Sequence, residues 1–208
     1  MGTAAVVFDL GNVLIRWDPH PAVAAAVGAE EASRLLAADD FDFGAWNHAQ
    51  DAGRAWDDAE AEAARTHPHW LPHLRGYRAF FTRSLIGAIE DTVAVLAELH
   101  HAQVPLFGLT NWSADMFPHA RERFAFLDLF DDIVVSGEER LAKPDPAIFE
   151  VLRRRTGLPL ERCVFVDDSP ANVAAAAAVG MEALLFTDAG SLREELRRRG
   201  LPLAPAQA

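Results

Sequence analysis

Short apolar segments alternate with helical segments along most of this chain, and this alternation restricts the folds open to it. The first apolar segment covers residues 4–8 and contains no polar side chain until Asp9. A segment that is apolar throughout is typical of a strand buried on both faces of a parallel sheet. Gly11 and Asn12 follow as a turn signal. Asp9 is therefore predicted at the carboxyl end of a buried strand, where open α/β sheets bind their ligands.

The same alternation resumes after Gly87 and continues towards the end of the chain. We predict strands at residues 105–109, 133–135, 163–166 and 183–186, and helices at 91–100, 113–124, 146–156, 170–178 and 191–199. Ser113 is expected to cap the second of these helices. Strands that alternate with helices form a parallel sheet with helices on both faces. The sequence therefore predicts an α/β fold with a Rossmann-like parallel sheet.

Residues 16–87 have a different character, with apolar residues at helical spacing and a cluster of aromatic side chains. Strand-like alternation is not visible in this region. We therefore predict a small helical domain inserted after the first strand, while residues 1–15 and 88–208 form the sheet domain. The aromatic residues Trp70, Phe80 and Phe81 are expected in the core.

Composition narrows the possible partners and locations. The 208-residue chain has a net charge of −12, and 50% of its residues are hydrophobic. An acidic balance argues against nucleic-acid binding, which needs a basic surface. No apolar stretch approaches the ~20 residues of a membrane span, and no leader pattern precedes the first strand. We expect a cytoplasmic protein, monomeric or homodimeric, whose single cysteine, Cys163, is a core residue.

Polar residues follow the predicted strands, or lie in loops at the same edge, at four places. They are Asp9, the pair Thr110 and Asn111, Lys143, and the pair Asp167 and Asp168. Because parallel strands end at one edge of the sheet, we expect these groups to converge. Three carboxylates raise one another's pKa unless a cation joins them, and oxygen ligands suit Mg²⁺. With a lysine and hydrogen-bond donors nearby, the set indicates phosphoryl transfer to a nucleophilic carboxylate.

Four motifs, in this order, resemble those of the haloacid dehalogenase superfamily. They are residues 9–14 (DLGNVL), 109–111 (LTN), 143–146 (KPDP) with Ile148 and Phe149, and 166–172 (VDDSPAN). Small bacterial sugar-phosphate phosphatases of that superfamily share the Asp-Leu-Gly-Asn-Val form of the first motif. The resemblance implies a parallel-sheet core with a helical cap, and Mg²⁺-dependent hydrolysis of a small phosphorylated metabolite.

The resemblance also implies a role for each matching residue. Asp9 would be the nucleophile and a Mg²⁺ ligand, and Lys143 would neutralise it and the transferring group. Gly11 would ligate the metal through its backbone carbonyl. Asp168 would be the main acidic ligand, with Asp167 beside it, directly or through water. The phosphoryl oxygens would be held by Thr110, Asn111 and Asn12.

Gly11 departs from the pattern of the superfamily. Most of its phosphatases carry a second aspartate there, which acts as general acid and base, whereas glycine has no proton to donate. Its loss costs about 10²–10⁴ in rate unless another group replaces it. Asp18, just beyond the turn, and an acid of the insert such as Asp51 are the candidate replacements. Residues 46–54, which contain Asp51, are the segment of the insert expected to face the site.

Two other functions stay open on the sequence. A 2-haloacid dehalogenase needs one catalytic carboxylate because halide leaves without a proton, so Gly11 favours it. The acidic pair Asp167 and Asp168 favours the metal-dependent phosphatase, because uncompensated carboxylates around a nucleophile are costly. A weakly catalytic protein that binds a metabolite or a partner is the other alternative. Gly11 motivates it, and the presence of Asp9 and Lys143 argues against it.

Overall fold

The computed structural model describes residues 3–205 and shows a parallel sheet surrounded by helices. In chain order the elements are β1 (Ala5–Phe8), β2 (Ile15–Trp17), α1 (His20–Val27), α2 (Ala29–Leu36), α3 (Phe43–Asp51), α4 (Trp56–Thr66), α5 (Leu71–Ala79), β3 (Leu85–Ala88), α6 (Glu90–His101), β4 (Leu106–Thr110), α7 (Phe117–Arg123), β5 (Asp132–Val135), α8 (Ser136–Glu139), α9 (Pro146–Thr156), β6 (Cys163–Asp167), α10 (Pro170–Ala178), β7 (Glu182–Leu185) and α11 (Ala189–Arg198). In this part of the chain, no helix is both long and apolar enough to cross a membrane.

Five of the strands form one sheet in the order β5-β4-β1-β6-β7, and all neighbouring pairs are parallel. This is the predicted α/β fold. The side chains of β1 alternate between the two faces of the sheet, as a strand requires. Val6 and Phe8 pack in a core cluster with residues of α6 and α11. Ala5 and Val7 pack in a second cluster with residues of α9 and α10. Both faces of β1 are therefore covered, which explains its uninterrupted apolar sequence.

The segment 18–84, which we call the helical insert, contains α1 to α5 and has an aromatic core. Trp46 contacts Trp56 edge-on with ring centroids 5.6 Å apart, and Phe43 contacts Tyr77 in the same way at 5.1 Å. Such pairs are favourable beyond the area they bury. The prediction of a core position is confirmed for Trp70 and Phe81. It is wrong for Phe80, which is 37% exposed, because it follows α5 on the side away from the core.

A two-stranded antiparallel sheet of β2 and β3 connects the helical insert to the rest of the chain. Ile15 pairs with Ala88, and Trp17 pairs with Leu85. Both strands overlap residues 16–87, where we predicted helices alone, so the prediction is wrong at the two ends of the insert. Strands of three and four residues are too short to show the period-two pattern that identifies a strand in sequence. Their pairing places the two ends of the helical insert side by side.

Ser113 does not cap a helix, contrary to the sequence prediction. The helix in this region, α7, begins at Phe117, and Met116 precedes it. The hydroxyl of Ser113 instead accepts a hydrogen bond from Trp56 Nε1 at 2.9 Å. A residue of the sheet domain thus contacts the helical insert, and local sequence does not contain that information. Cys163 is buried in β6, as predicted.

Candidate active site

The site lies at the carboxyl edge of the sheet, around the end of its central strand. β1 lies between β4 and β6. Asp9, directly after β1, lies level with Leu109 of β4 and with Asp167 of β6. Asn111 follows the end of β4. Asp168 follows β6, and Lys143 reaches the same edge from the loop between α8 and α9. The predicted convergence of these residues therefore occurs, because all five strands point the same way.

Lys143 is the centre of the polar network in this site. Its side chain is 1% exposed. Its Nζ donates hydrogen bonds to Asp9 Oδ1 at 2.8 Å, to Asp167 Oδ2 at 2.7 Å and to the carbonyl of Leu109 at 2.8 Å. Three acceptors for three N–H bonds satisfy an ammonium group completely. The position of the ammonium is therefore fixed between two carboxylates.

The backbone of Lys143 is fixed as well, by the side chain of Asn111. Asn111 Nδ2 donates to the carbonyl of Lys143 at 2.8 Å, and Asn111 Oδ1 accepts from its backbone N–H at 2.9 Å. Both polar atoms of this amide are thus used to hold the loop. The side chain of Asn111 therefore positions Lys143, a role we did not expect from the sequence.

Charge and burial have opposite effects on the pKa of Asp9. Burial raises the pKa of Asp9 to about 6, although the ammonium of Lys143 acts to lower it and Asp167 adds repulsion. For Lys143, burial disfavours the charged form, but the two neighbouring carboxylates outweigh it and its pKa lies above the ordinary value. Burial and Asp167 also raise the pKa of Asp168. Three carboxylates around one ammonium leave an excess of negative charge.

Asp167 has its oxygens occupied by protein donors. Oδ1 accepts from the backbone N–H of Ser169 at 2.8 Å and from Asn172 Nδ2 at 3.0 Å, while Oδ2 accepts from Lys143. Its side chain is fully buried. Asp167 therefore orients Lys143, and it is less available to a metal than Asp9 and Asp168.

The donor set fits a hard divalent cation. One carboxylate oxygen from each of Asp9, Asp167 and Asp168 lies within 4.8 Å of the others. Oxygen ligands of this kind suit Mg²⁺, and a cation here would offset the excess negative charge. The side chain of Asn12 also hydrogen-bonds Asp168, which orients that carboxylate.

A cavity of about 170 Å³ lies next to these groups, between the sheet edge and the helical insert. Its lining is partly polar and partly aromatic: Asp9, Gly11, Asn12, Trp17, Asn47, Asp51, Trp56, Tyr77, Phe81, Asn111, Trp112, Ser113 and Asp168. The segment 46–54 therefore faces the site in part. Asn47 and Asp51, one helical turn apart on α3, line the cavity, whereas Trp46 packs in the aromatic core.

Four predicted residues do not line this cavity. Two of them, Lys143 and Asp167, are buried and pair with each other. Thr110 is buried at the end of β4 and is not among the lining residues. Asp18, a candidate general acid, is exposed, and its Oδ1 accepts a hydrogen bond from the backbone N–H of His20 at 2.9 Å. Asp18 is thus a turn residue at the start of α1.

Sequence reasoning missed Trp17 and Tyr77 as lining residues. Tyr77 is the single tyrosine of the chain, yet nothing in its local pattern points to a site. A different signal was available for Lys143: it is the only lysine among 19 lysines and arginines. A compact ammonium fits between two carboxylates where a planar guanidinium does not, so this exception to the use of arginine marks the site.

Comparison with known proteins agrees with this geometry. The family model of haloacid dehalogenase-like hydrolases matches residues 3–180. The chain belongs to this family. It is therefore a hydrolase with the predicted type of core, and the resemblance of its four motifs is confirmed.

Relatives of this haloacid dehalogenase-like hydrolase include phosphatases. It is 28% identical over 205 residues to sesquiterpene phosphatase astK of Aspergillus oryzae, covering 93% of this chain and 95% of the relative. It is 27% identical over 202 residues to ribulose-1,5-bisphosphate 5-phosphatase of Halopiger xanaduensis, covering 88% and 84%. A solved HAD family enzyme, bt-2542 from Bacteroides thetaiotaomicron in a magnesium complex, superimposes with a TM-score of 0.72 at 19% identity, covering 95% of this chain and 100% of that one.

Proposed function

We propose that the protein is a Mg²⁺-dependent phosphatase that hydrolyses a small phosphorylated metabolite through an aspartyl-phosphate intermediate on Asp9. The main support is the position of Asp9. Its Oδ1 accepts a hydrogen bond from Lys143 Nζ at 2.8 Å, and the residue lines a cavity that a small substrate can enter. A carboxylate beside an ammonium, next to other carboxylates that can hold a cation, is suited to nucleophilic attack on phosphorus.

Asp9, Asp168 and the backbone carbonyl of Gly11 are the direct ligands in this proposal, and Asp167 acts through water or through Lys143. Bound Mg²⁺ supplies positive charge for the phosphoryl oxygens and keeps the carboxylates ionised. Lys143 neutralises Asp9 and the phosphoryl group together. Asn12 and the strand-end backbone at Asn111 hold the phosphoryl oxygens, because the amide of Asn111 is already used and Thr110 does not line the cavity.

The reaction has two displacements at phosphorus. Asp9 attacks the phosphorus, and the bond from phosphorus to the leaving oxygen breaks. Water then attacks the phosphorus of the aspartyl phosphate, which releases inorganic phosphate and restores the carboxylate of Asp9. The hydrogen bond from Lys143 to Oδ1 holds that carboxylate in one orientation, so little reorganisation is needed in either step.

The helical insert, within residues 16–87, acts as the cap that selects the substrate. It contributes Asn47, Asp51, Trp56 and Tyr77 to the cavity, so the part of the substrate beyond the phosphate meets both aromatic and hydrogen-bonding groups. Sugar phosphates are the class suggested by the first motif. Terpenyl phosphates are a second class to test, because sesquiterpene phosphatase astK is a relative.

Phosphate release from a panel of sugar, acyl and terpenyl phosphates tests the proposal, with Mg²⁺ and with EDTA. We expect release that requires Mg²⁺ and falls to background in Asp9→Asn. Asp18→Asn is the matched control, because it makes the same chemical change at an exposed residue outside the cavity. Chloride release from 2-chloropropionate is measured in parallel. Chloride release without metal would establish the dehalogenase alternative, and a panel without turnover would leave the binding-protein alternative.

A further inference from the structure

The helical insert places one carboxyl group, that of Asp51, in the same cavity as Asp9. Asp51 is the last residue of α3. Asn47 Nδ2, one turn earlier, donates to Asp51 Oδ2 at 3.0 Å, and the backbone N–H of Ser113 donates to the same carboxyl group from the sheet domain. The hydroxyl of Ser136 donates to the backbone carbonyl of Asp51 at 2.5 Å. Donors from both sides of the cavity thus hold this side chain in place.

The surroundings of Asp51 favour its neutral form. Trp56 and Tyr77 lie in the same wall of the cavity, and none of the described residues that line it is basic. The carboxyl-terminal end of a helix is also unfavourable for a negative charge, because the helix dipole is negative at that end. Burial raises the pKa of Asp51 to about 7. Asp9, by contrast, has the ammonium of Lys143 beside it. One carboxyl group thus has a cationic neighbour, and the other has none among the lining residues that the structure describes.

We propose that Asp51 is the general acid and base of this reaction and replaces the proton donor that Gly11 lacks. The inference rests on the proposed phosphatase function. In the first displacement, the carboxyl of Asp51 gives its proton to the leaving oxygen as the bond to phosphorus breaks and the bond from Asp9 forms. In the second, the carboxylate of Asp51 takes a proton from the attacking water while the bond between Asp9 and phosphorus breaks. The protonated acid is thereby restored.

A nucleophilic carboxylate and a second carboxyl group that acts as the acid are a common pair in one active site. Here Asp9 has a cationic neighbour, Lys143, and no basic residue of the described part of the chain lines the cavity that Asp51 faces. Asp51 meets the geometric condition that Asp18 does not, because it lines the cavity while Asp18 lies outside it. An acid supplied by the insert also has a mechanistic consequence, since proton transfer is available only while the insert covers the site.

The experiment compares two substrates that differ in leaving group. Glycerol phosphate has a poor alkoxide leaving group, and p-nitrophenyl phosphate has a good one that departs without a proton. We expect Asp51→Asn to lower kcat/KM for glycerol phosphate by about 10²–10⁴, and that for p-nitrophenyl phosphate by less than ~10-fold. Asp51→Glu, which keeps an acid, should recover part of the loss for glycerol phosphate. Asp18→Asn serves as the matched control and should change neither value.

A second measurement is the pH dependence of the same two substrates in the wild type and in Asp51→Asn. In the wild-type enzyme, the ratio of kcat/KM for glycerol phosphate to that for p-nitrophenyl phosphate should fall more steeply as pH rises through about 7, where Asp51 loses its proton, than it does in the variant. Asp9, Asp168 and Tyr77 also line the cavity, and Lys143 lies beside Asp9. Their titration and that of the substrates' own phosphate groups are common to both proteins, so the difference between the two pH profiles isolates Asp51.

The outcomes separate this inference from the proposed function. Equal losses for both substrates in Asp51→Asn, or a substrate ratio with the same pH dependence in the wild type and in Asp51→Asn, would give Asp51 a structural role only and overturn the inference. Mg²⁺-dependent phosphate release would still stand in that case. Absence of phosphate release by the wild-type enzyme from these two substrates and from the whole panel of sugar, acyl and terpenyl phosphates would overturn the proposed function, and the inference with it.

Discussion

Lys143 shows how closely one side chain is adapted to its position. Its ammonium meets three oxygen acceptors, two of them carboxylates, in a space that is closed to solvent. A guanidinium is planar and larger, and its five donors require acceptors in a forked arrangement. All other lysine-or-arginine positions of the chain hold arginine. Lysine is therefore used only where the ammonium is buried between these acceptors.

We therefore expect Lys143→Arg to abolish phosphate release and to lower the free energy of unfolding by about 1–3 kcal/mol, because the longer group overpacks the site. Arg65→Lys, at an exposed position of α4, is the reverse exchange and should change neither property. Chemical denaturation and the phosphate assay measure the two effects. Full activity in Lys143→Arg would show that only the positive charge matters.

The raised pKa of Asp51 predicts that the free energy of unfolding depends on pH, which can be measured without turnover. The unfolded carboxyl ionises near its ordinary pKa of 3.8, whereas the folded one keeps its proton until about pH 7. The folded state therefore binds the extra proton, and the wild-type protein loses this share of stability as pH rises from about 4 to about 7. Asp51→Asn has no proton to lose.

The free energy of unfolding of Asp51→Asn, relative to the wild type, should thus increase by roughly 2–4 kcal/mol between pH 5 and pH 8. Other titrating groups are common to both proteins and cancel in the difference. Denaturant titrations at several pH values measure it. A difference that stays constant with pH would mean that Asp51 ionises normally in the folded protein.

Among the secondary-structure elements, α1 and α5 pack very closely in the helical insert. Gly76 of α5 faces Ala26 of α1, and a Cβ on Gly76 would overlap the Cβ of Ala26. Glycine is unfavourable within a helix by roughly 0.5–1 kcal/mol relative to alanine, so its presence here is explained by the approach of the two backbones. The close contact in turn fixes the position of Tyr77, the next residue, in the cavity wall.

We expect Gly76→Ala to lower the free energy of unfolding by about 1–2 kcal/mol, because overpacking outweighs the gain in helix propensity. Gly87→Ala is the control, since a Cβ on Gly87 of β3 meets no heavy atom within 4 Å. It should be neutral or slightly stabilising. Thermal unfolding of the wild type and both variants measures these changes in stability. If Gly76→Ala were the more stable of the two, the helices would have to separate at little cost.

The helical insert and the sheet domain share one hydrophobic core. The core cluster that contains Phe8 of β1 also contains Trp56 and Tyr77 of the insert and Leu96 of α6. The hydrogen bond from Trp56 Nε1 to Ser113 Oγ joins the same two parts at 2.9 Å. Two units that bury apolar surface against each other do not unfold independently.

We accordingly expect a single thermal transition, with the calorimetric enthalpy equal to the van't Hoff enthalpy. Tryptophan fluorescence reports mainly on the insert, because three of the five tryptophans, Trp46, Trp56 and Trp70, lie there. Circular dichroism reports on all helices. The two signals should change at the same temperature. A fluorescence transition several degrees below the circular dichroism transition would instead show that the insert opens by itself, as a mobile lid.

Most of the sheet and its site follow from local patterns along the chain. The helices at 146–156 and 170–178 have the predicted bounds, because proline at the first turn and the apolar spacing are local signals. The convergence of Asp9, Lys143 and Asp167 also follows from the sequence, since consecutive strand–helix units force the strands to be parallel and their ends to meet.

The cavity wall depends instead on contacts between distant parts of the chain. The sequence names Asp51 only as one of two candidate acids, and it gives no sign that Tyr77 lines the cavity. The side of α3 that faces the sheet is set by packing. The same holds for Asn111, whose amide clamps Lys143, and for the short strands β2 and β3. The sequence thus specifies Asp9 and its charged neighbours, because they lie at strand ends and in one connecting loop. Only the folded structure decides between the candidate acids Asp18 and Asp51, because the environment of Asp51 is created where the insert packs over the sheet.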